Sequence, residues 1–128
     1  MKSTPIGKER LLFVFDENGL SLSDGFLDHM TWHCWGLADF ANGVGAPHGT
    51  CVLTDPAGDQ ISGDFVHEKW HALDEKNVPA SFKFTAGTGR FAGISGEFTY
   101  VAHVNEFRTA AEGTYAVYAT FQGSYKLP

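Results

Sequence analysis

The fold class is decided by the stretch from Asp28 to Phe40, which reads DHMTWHCWGLADF. Successive side chains of a β-strand point to opposite faces, so residues of one parity share a face. Here His33 and Trp35 fall on one face, whereas Trp32 and Cys34 fall on the other. Large apolar groups on both faces are expected of a strand that has a core on one side and a ligand cavity or a neighbouring subunit on the other. The stretch therefore predicts a β-strand.

The same alternation, interrupted by turn residues, continues along the chain on both sides of this stretch. Residues 11–15 predict a strand that ends in an Asn-Gly turn at 18–19, and the sequence DPAGD at 55–59 predicts a tight hairpin. Further strands are expected at residues 60–70 and 114–125. These signals predict an all-β fold of about seven or eight antiparallel strands, and a closed barrel is favoured because closure leaves no unpaired edge.

Length, composition and charge indicate one acidic globular domain. The chain has 128 residues, of which 43% are apolar and 19% charged, and its net charge is −6. This length predicts a single domain, residues 1–128, whose first ten residues are expected to be flexible. The basic residues are few and do not cluster, which excludes nucleic acid as a partner. We find no apolar signal region and no apolar run long enough to span a membrane, so a cytoplasmic protein without a membrane partner is predicted.

The two cysteines, Cys34 and Cys51, are too few for a disulfide framework. In a reducing cytosol we expect both to be free and packed as small apolar groups. The alternative is a bridge between neighbouring strands, because the proposed strand pairing brings the two positions close to each other.

The glycine-rich segment at residues 87–96, GTGRFAGISG, resembles the G-T-G-x-F-x-G segment of the allene oxide cyclase-like and dirigent-like barrels. The DPAGD turn at 55–59, Cys51 and the sequence GSYKL at 123–127 are similar to those of small bacterial relatives in that superfamily. The resemblance, which covers about residues 30–127, implies an eight-stranded barrel of calycin type, often dimeric or trimeric, with a small apolar molecule in its lumen. It also implies cyclases and isomerases that need no cofactor, or proteins that only steer a reaction. The catalytic pattern of the plant cyclases is not matched, so the resemblance assigns no catalytic residue.

The sequence HEKWH at 67–71 matches the H-E-x-x-H pattern of zinc metalloproteases. On a helix, His67 and His71 would share a face and could bind one zinc ion. We expect a strand end instead, where residues four apart are separated by about 13 Å. The prediction is therefore that this segment holds no metal, with a helical zinc site as the alternative.

Candidate acid–base residues are those that a closed barrel would turn into an apolar lumen. Burial raises the pKa of a carboxyl group, which suits it to general acid or base catalysis, and histidine titrates near neutral pH. We predict that Glu68 or Glu97 acts together with His33, His103 or Tyr100.

Aromatic residues are more numerous than a small core needs, which favours a pocket for a ring-containing or polyene ligand. The predicted substrate-binding residues are Trp32, Trp35, Trp70, Phe84, Phe98, Tyr115 and Phe121. Together these patterns predict a cyclase, isomerase or lyase without cofactor that acts on a small hydrophobic molecule inside a homo-oligomer, a dimer or a trimer. The alternative is a barrel that binds or steers such a molecule without catalysis.

Overall fold

The computed structural model describes residues 2–71, 77–104 and 117–128, and these residues form strands, turns and one short 3-10 helix. The strands are β1 Lys2–Ile6, β2 Arg10–Ser21, β3 Met30–Ala41, β4 Val44–Gly45, β5 His48–Thr54, β6 Gln60–His67, β7 Trp70–His71, β8 Asn77–Gly87, β9 Ser95–Val104 and β10 Val117–Lys126. The 3-10 helix, Gly89–Phe91, lies between β8 and β9. No α-helix occurs within the described ranges, and none of their helices is long and apolar enough to cross a membrane.

All described strands belong to one antiparallel sheet, so the all-β antiparallel prediction is confirmed. Its main path runs β1-β2-β3-β5-β6-β8-β9-β10, with the two-residue strands β4 and β7 beside it. The prediction of a closed eight-stranded barrel is wrong: the sheet has ten strands, and no ladder joins β1 to β10 among the described residues. The two extra strands arise because Asn42 and Gly43, both at positive φ, turn β3 directly back into β4.

Two glycines on the inner face of the sheet allow close packing between β2 and β6. Gly36 of β3 and Gly49 of β5 are register partners, flanked in the same row by Phe15 and Phe65. A Cβ atom on Gly49 would lie 2.7 Å from the Gly36 Cα and 2.9 Å from the Phe65 ring, closer than real Cβ atoms come. The missing side chains leave room for the two rings, whose centroids are 5.8 Å apart. Glycine is therefore required here for packing.

The main core lies on this inner face. It contains Met30 and Ile61, both at 0% exposure, and the flanking phenylalanines Phe82, Phe84 and Phe91. Burying a side chain of this size contributes about 1.5–3 kcal/mol each. A second, smaller cluster centres on Val78 and Ala102, and the partly buried Tyr100 packs against both clusters.

The start of the chain is more regular than the sequence suggested. Residues 2–6, expected to be flexible, form β1 and pair with β2. The predicted Asn-Gly turn at 18–19 is also wrong, because β2 continues to Ser21. Gly19 is the register partner of Trp32, and the indole of Trp32 occupies the space that a Cβ atom would need. This glycine makes room for a ring within a strand.

The two turn motifs that carry the family resemblance contact each other. The buried Asp55 carboxylate accepts hydrogen bonds from the backbone N–H groups of Ala57 and Asp59 and from Arg90 Nε at 2.7 Å. Asp59 in turn accepts from the Arg90 backbone N–H. Burial alone would raise the pKa of Asp55, but Arg90 and the backbone donors outweigh it and hold that pKa below its usual value. The hairpin and the glycine-rich segment are thus fixed together.

The cysteines form a disulfide, which corrects the prediction of free thiols. Cys34 of β3 and Cys51 of β5 are direct register partners and are bonded to each other. Both side chains point to the inner face and are 7% exposed. The bridge therefore joins two central strands of the sheet.

Candidate functional site

The inner face of the sheet lines an open hollow of about 740 Å³. Its walls come from both ends of the sheet path. Residues 17–22, at the end of β2 and directly after it, face residues 117–121 of β10. Most lining side chains are apolar, and Glu17 is the one charged residue among those that line it in the described part of the chain. The principal lining side chains are Glu17, Leu20, Leu22, Leu27, Trp32, Cys34, Cys51, Leu53, Phe65, Phe82, Phe98, Tyr100, Ala102 and Phe121. The volume lies within the range of about 300–1,000 Å³ that is usual for small-molecule sites.

A tyrosine–histidine pair is the main polar feature of the wall. The Tyr100 hydroxyl lies 3.3 Å from His67 Nε2, and the two rings meet edge to face. Tyr100 lines the hollow, and His67 stands behind it beside Phe65. His67 Nδ1 is buried without a hydrogen bond of good geometry to a described residue, although the Pro79 backbone interacts with the imidazole.

Burial controls the protonation of both residues. It lowers the pKa of His67 to about 4, with the Pro79 backbone exerting a smaller opposing effect. Burial also raises the pKa of Tyr100, and the negative charge of Glu17 raises it further. At neutral pH the pair is therefore an uncharged imidazole and an uncharged phenol, which suits an apolar environment.

Toward a molecule in the hollow, the Tyr100 hydroxyl of this pair can act either as a hydrogen-bond acceptor or as a donor. When Nε2 carries no proton, the Tyr100 hydroxyl donates to it and the phenolic oxygen accepts from the ligand. When Nε2 is protonated, it donates to Tyr100, and the hydroxyl proton becomes available to a ligand oxygen. The two states hold the same number of protons and differ in whether the Tyr100 hydroxyl accepts from a ligand or donates to it.

The predicted substrate-binding residues divide into two groups. Trp32, Phe98 and Phe121 line the hollow together with Tyr100. Phe84 lies in the core beside a smaller cavity of about 210 Å³, and Trp70 packs against the second core cluster. Trp35 lies on the outer face, 43% exposed and stacked on His33. Tyr115 lies outside the described residues.

Four of the five predicted acid–base residues lie away from the hollow. Glu68 and Glu97 are exposed, and Glu97 occupies an outward position opposite Lys83. His33 contacts Asp16 through Nε2 on the outer face. His103 contacts Asn77 and Thr120 and stacks on Tyr118. Tyr100 is the member of this set that the fold places in the hollow.

Glu17 and His67 were missed as site residues, although the sequence contained a signal for each. Ile61, Gly63, Phe65 and His67 share one parity of β6, so the histidine continues a buried face. Glu17 shares the parity of Phe15, but it was assigned to a turn that does not form.

The HEKWH segment is extended where the structure describes it. His67 ends β6 and His71 ends β7, so the helical alternative is wrong. Among the described side chains, no group of three or more His, Cys, Asp or Glu residues is placed to hold a metal ion.

Acidification from about pH 6.5 to pH 4 is expected to destabilise the protein through His67. Its folded pKa of about 4 lies below the ordinary histidine value of 6.5, so the unfolded chain binds the proton first. Stability from this group is complete above pH 6.5 and is lost as the pH falls toward 4, by about 3 kcal/mol. Urea unfolding at several pH values measures the effect.

The variant His67→Gln is expected to show a flatter stability profile in that pH window, since it has no imidazole to titrate. The matched control is His48→Gln, which changes an exposed histidine of the adjacent strand and should keep the wild-type profile. Identical pH dependence of the wild type and His67→Gln would contradict the prediction.

Comparison of the chain with protein-family models, with curated proteins and with solved structures found no match.

Proposed function

We propose that the hollow binds one small, uncharged hydrophobic molecule and that Tyr100 and His67 act on it as the acid–base pair of a cofactor-independent cyclase, isomerase or lyase. The observation that carries this proposal is the contact of 3.3 Å between the Tyr100 hydroxyl and His67 Nε2. It joins a tyrosine hydroxyl that lines a mostly apolar hollow to a buried imidazole behind it. An aromatic or polyene substrate suits the rings of Trp32, Phe98 and Phe121.

The chemistry follows from an uncharged donor in mostly apolar surroundings. A ligand carbonyl oxygen beside Tyr100 would accept the hydroxyl proton as negative charge develops on that oxygen, and His67 would stabilise the phenolic oxygen left behind. Glu17, which lines the same hollow, would accept a proton from carbon. One such acid–base contribution accelerates a reaction about 10²–10⁴-fold, and the shaped wall adds orientation of the substrate.

A binding or steering protein without catalysis is the second candidate function. It is favoured by the outward or exposed positions of Glu68, Glu97, His33 and His103, which leave the hollow with few ionisable groups. In this case Tyr100 would only orient a hydroxyl or carbonyl group of the ligand.

Relationship, assembly and location are parts of the same proposal. Kinship with the allene oxide cyclase-like proteins is proposed from the sequence of the DPAGD hairpin and of the glycine-rich segment. A homo-oligomer, dimeric or trimeric, is supported by the exposed apolar residues Val14, Leu37 and Val66 on the outer face. The acidic charge supports the absence of a nucleic-acid partner, and no membrane partner is proposed. A cytoplasmic location was predicted because no apolar signal region was found, and the Cys34–Cys51 disulfide does not support it, since disulfides are rare in reducing compartments.

Exchange of carbon-bound protons tests the proposal without knowledge of the natural substrate. The probe is 2-tetralone, an apolar aromatic ketone with acidic α-protons, incubated in D₂O with the full chain and followed by NMR. We expect catalysed deuterium incorporation at the α-carbons and a loss of about 10²-fold in Tyr100→Phe. The matched control Tyr125→Phe removes an exposed tyrosine hydroxyl and should exchange at the wild-type rate.

Binding of 2-tetralone is measured in parallel by fluorescence of the tryptophans. Binding without exchange supports the carrier and overturns the enzyme. Tyr100→Phe should then weaken binding about tenfold, the effect of one lost hydrogen bond of about 1.4 kcal/mol. Absence of binding to 2-tetralone and to N-phenyl-1-naphthylamine, a neutral apolar fluorophore, overturns both functions.

A further inference from the structure

We propose that the Cys34–Cys51 disulfide is a reducible site in the wall of the hollow, which small thiols reach through the hollow and from which a bound ligand shields it. The proposal deepens the function above, because its ligand-shielding part rests on the hollow being a binding site. It assigns a redox reaction to Cys34 and Cys51, which take no part in the proposed acid–base mechanism.

The position of the bridge is the first argument. Both cysteines line the hollow and belong to the inner face of their strands. On the outer face, the neighbours along β3 are His33 and Trp35, which stack on each other and stand on the opposite side of the sheet from the sulfur atoms. The hydrogen-bonded backbones of β3 and β5 therefore separate the bridge from outside solvent.

The small exposed fraction of the bridge is the second argument. Each cysteine is 7% exposed, and each contributes to the lining of a hollow large enough for a small thiol. A reductant must touch a sulfur atom, because reduction proceeds by attack of a nucleophile on one sulfur of the disulfide. In the folded protein, this approach runs through the hollow.

The reaction balances with a thiol as the named co-reactant. A thiolate attacks the sulfur of one cysteine, forms a mixed disulfide and releases the other cysteine as a thiolate, which takes up a proton. A second thiolate then attacks the external sulfur of the mixed disulfide and releases the first cysteine. In total, two thiols are oxidised to one disulfide while Cys34 and Cys51 are reduced to two thiols.

Occupancy of the hollow and reduction of the bridge are therefore coupled. A ligand that fills the space beside Cys34 and Cys51 excludes the thiol from the sulfur atoms. Reduction also removes the covalent link between β3 and β5 in the wall, so the reduced protein is expected to bind the ligand with a different affinity. A change in thiol concentration would then change the amount of ligand held.

The experiment compares the rates of disulfide reduction in two variants. Each adds a tryptophan, one on the inner face of the sheet and the other on the outer face. Ala119→Trp places an indole in the hollow from β10, where Ala119 lines the wall at an exposed position. The matched control Thr99→Trp adds the same ring at an exposed, outward position of β9. The oxidised full-length proteins are treated with dithiothreitol, and the free thiols are alkylated and counted by mass spectrometry over time.

We expect Ala119→Trp to be reduced at least about tenfold more slowly than the wild type and Thr99→Trp to match the wild type. Equal rates in all three proteins overturn the proposal, since reduction would then proceed by unfolding or from the outer face. Free thiols in the purified wild type, before any reductant is added, also overturn it. These arms need no ligand, so they decide the redox site even if the proposed function fails.

A second arm tests the shielding. Saturating N-phenyl-1-naphthylamine, with its binding followed by fluorescence, should slow the reduction of the wild type at least about tenfold. In about 8 M urea, a concentration that unfolds the protein completely, the same probe should leave the reduction rate unchanged. The unfolded chain has no hollow that the probe could fill. Bound probe with an unchanged rate in the folded protein overturns the coupling.

Discussion

Replacement of Gly49 by valine is expected to remove a large part of the stability of the protein. A Cβ atom at this position would meet the Trp35 carbonyl oxygen and the Gly36 Cα, both of which are backbone atoms that cannot rotate away. Forcing extra atoms into such a site costs about 3 kcal/mol or more, out of a total stability of about 5–15 kcal/mol. Guanidinium unfolding of Gly49→Ala and Gly49→Val, followed by circular dichroism, measures the loss.

The matched control for this prediction is Gly25→Ala. A Cβ atom on Gly25 would meet only the Ser23 hydroxyl oxygen at 3.9 Å, an ordinary contact distance, so its unfolding midpoint should stay close to the wild-type value. A wild-type midpoint for Gly49→Ala would show that β3 and β5 do not approach each other as closely as the structure indicates.

Removal of the disulfide is expected to produce the second large effect. The bridge closes a loop with a sequence separation of 17 residues, and a cross-link of this span stabilises the folded state by about 3 kcal/mol through the entropy of the unfolded chain. For a chain of this size, the melting temperature of Cys34→Ala/Cys51→Ala should fall by about 10 °C. Differential scanning calorimetry of the oxidised wild type and the double variant measures the difference.

Dithiothreitol provides the internal control for that measurement. It should lower the melting temperature of the wild type toward that of the double variant and leave the double variant unchanged. Equal melting temperatures of the oxidised wild type and the double variant would show that the bridge contributes no stability.

The strand content was predictable because alternation is a local property. The parity of residues 28–40 placed Trp32 and Cys34 on one face, and the structure gives that face to the core and the hollow. Parity alone could not tell which face is inward. That choice depends on all the strands together, which is why Trp35 and His33 were expected in the site but lie on the outer face.

Features that depend on distant residues were harder to predict. The disulfide requires Cys34 and Cys51 to be register partners, and that register is fixed by the chain between them. The Asn-Gly pair at 18–19 has the composition of a turn, but the Trp32 ring, thirteen positions after Gly19, needs the space above that glycine. The openness of the sheet likewise depends on the relation of β1 to β10, at opposite ends of the sequence.

Part of the site was within reach of the sequence. Tyr100 was identified because it alternates with Phe98 on β9, and the alternation on β6 would have placed His67 inward in the same way. His67 was instead considered as a zinc ligand, because it belongs to the H-E-x-x-H pattern. The contact between Tyr100 and His67 was not predictable, since β8 lies between their two strands.

The unjoined ends of the sheet give a bound molecule a mechanical role. Residues 17–22 and 117–121 face each other across the hollow without a ladder of hydrogen bonds between β2 and β10. A bound molecule that contacts both walls would form a reversible link between the beginning and the end of the chain. Binding would therefore stabilise the wall of the hollow. The protein would bind the molecule most tightly when the molecule contacts both sides.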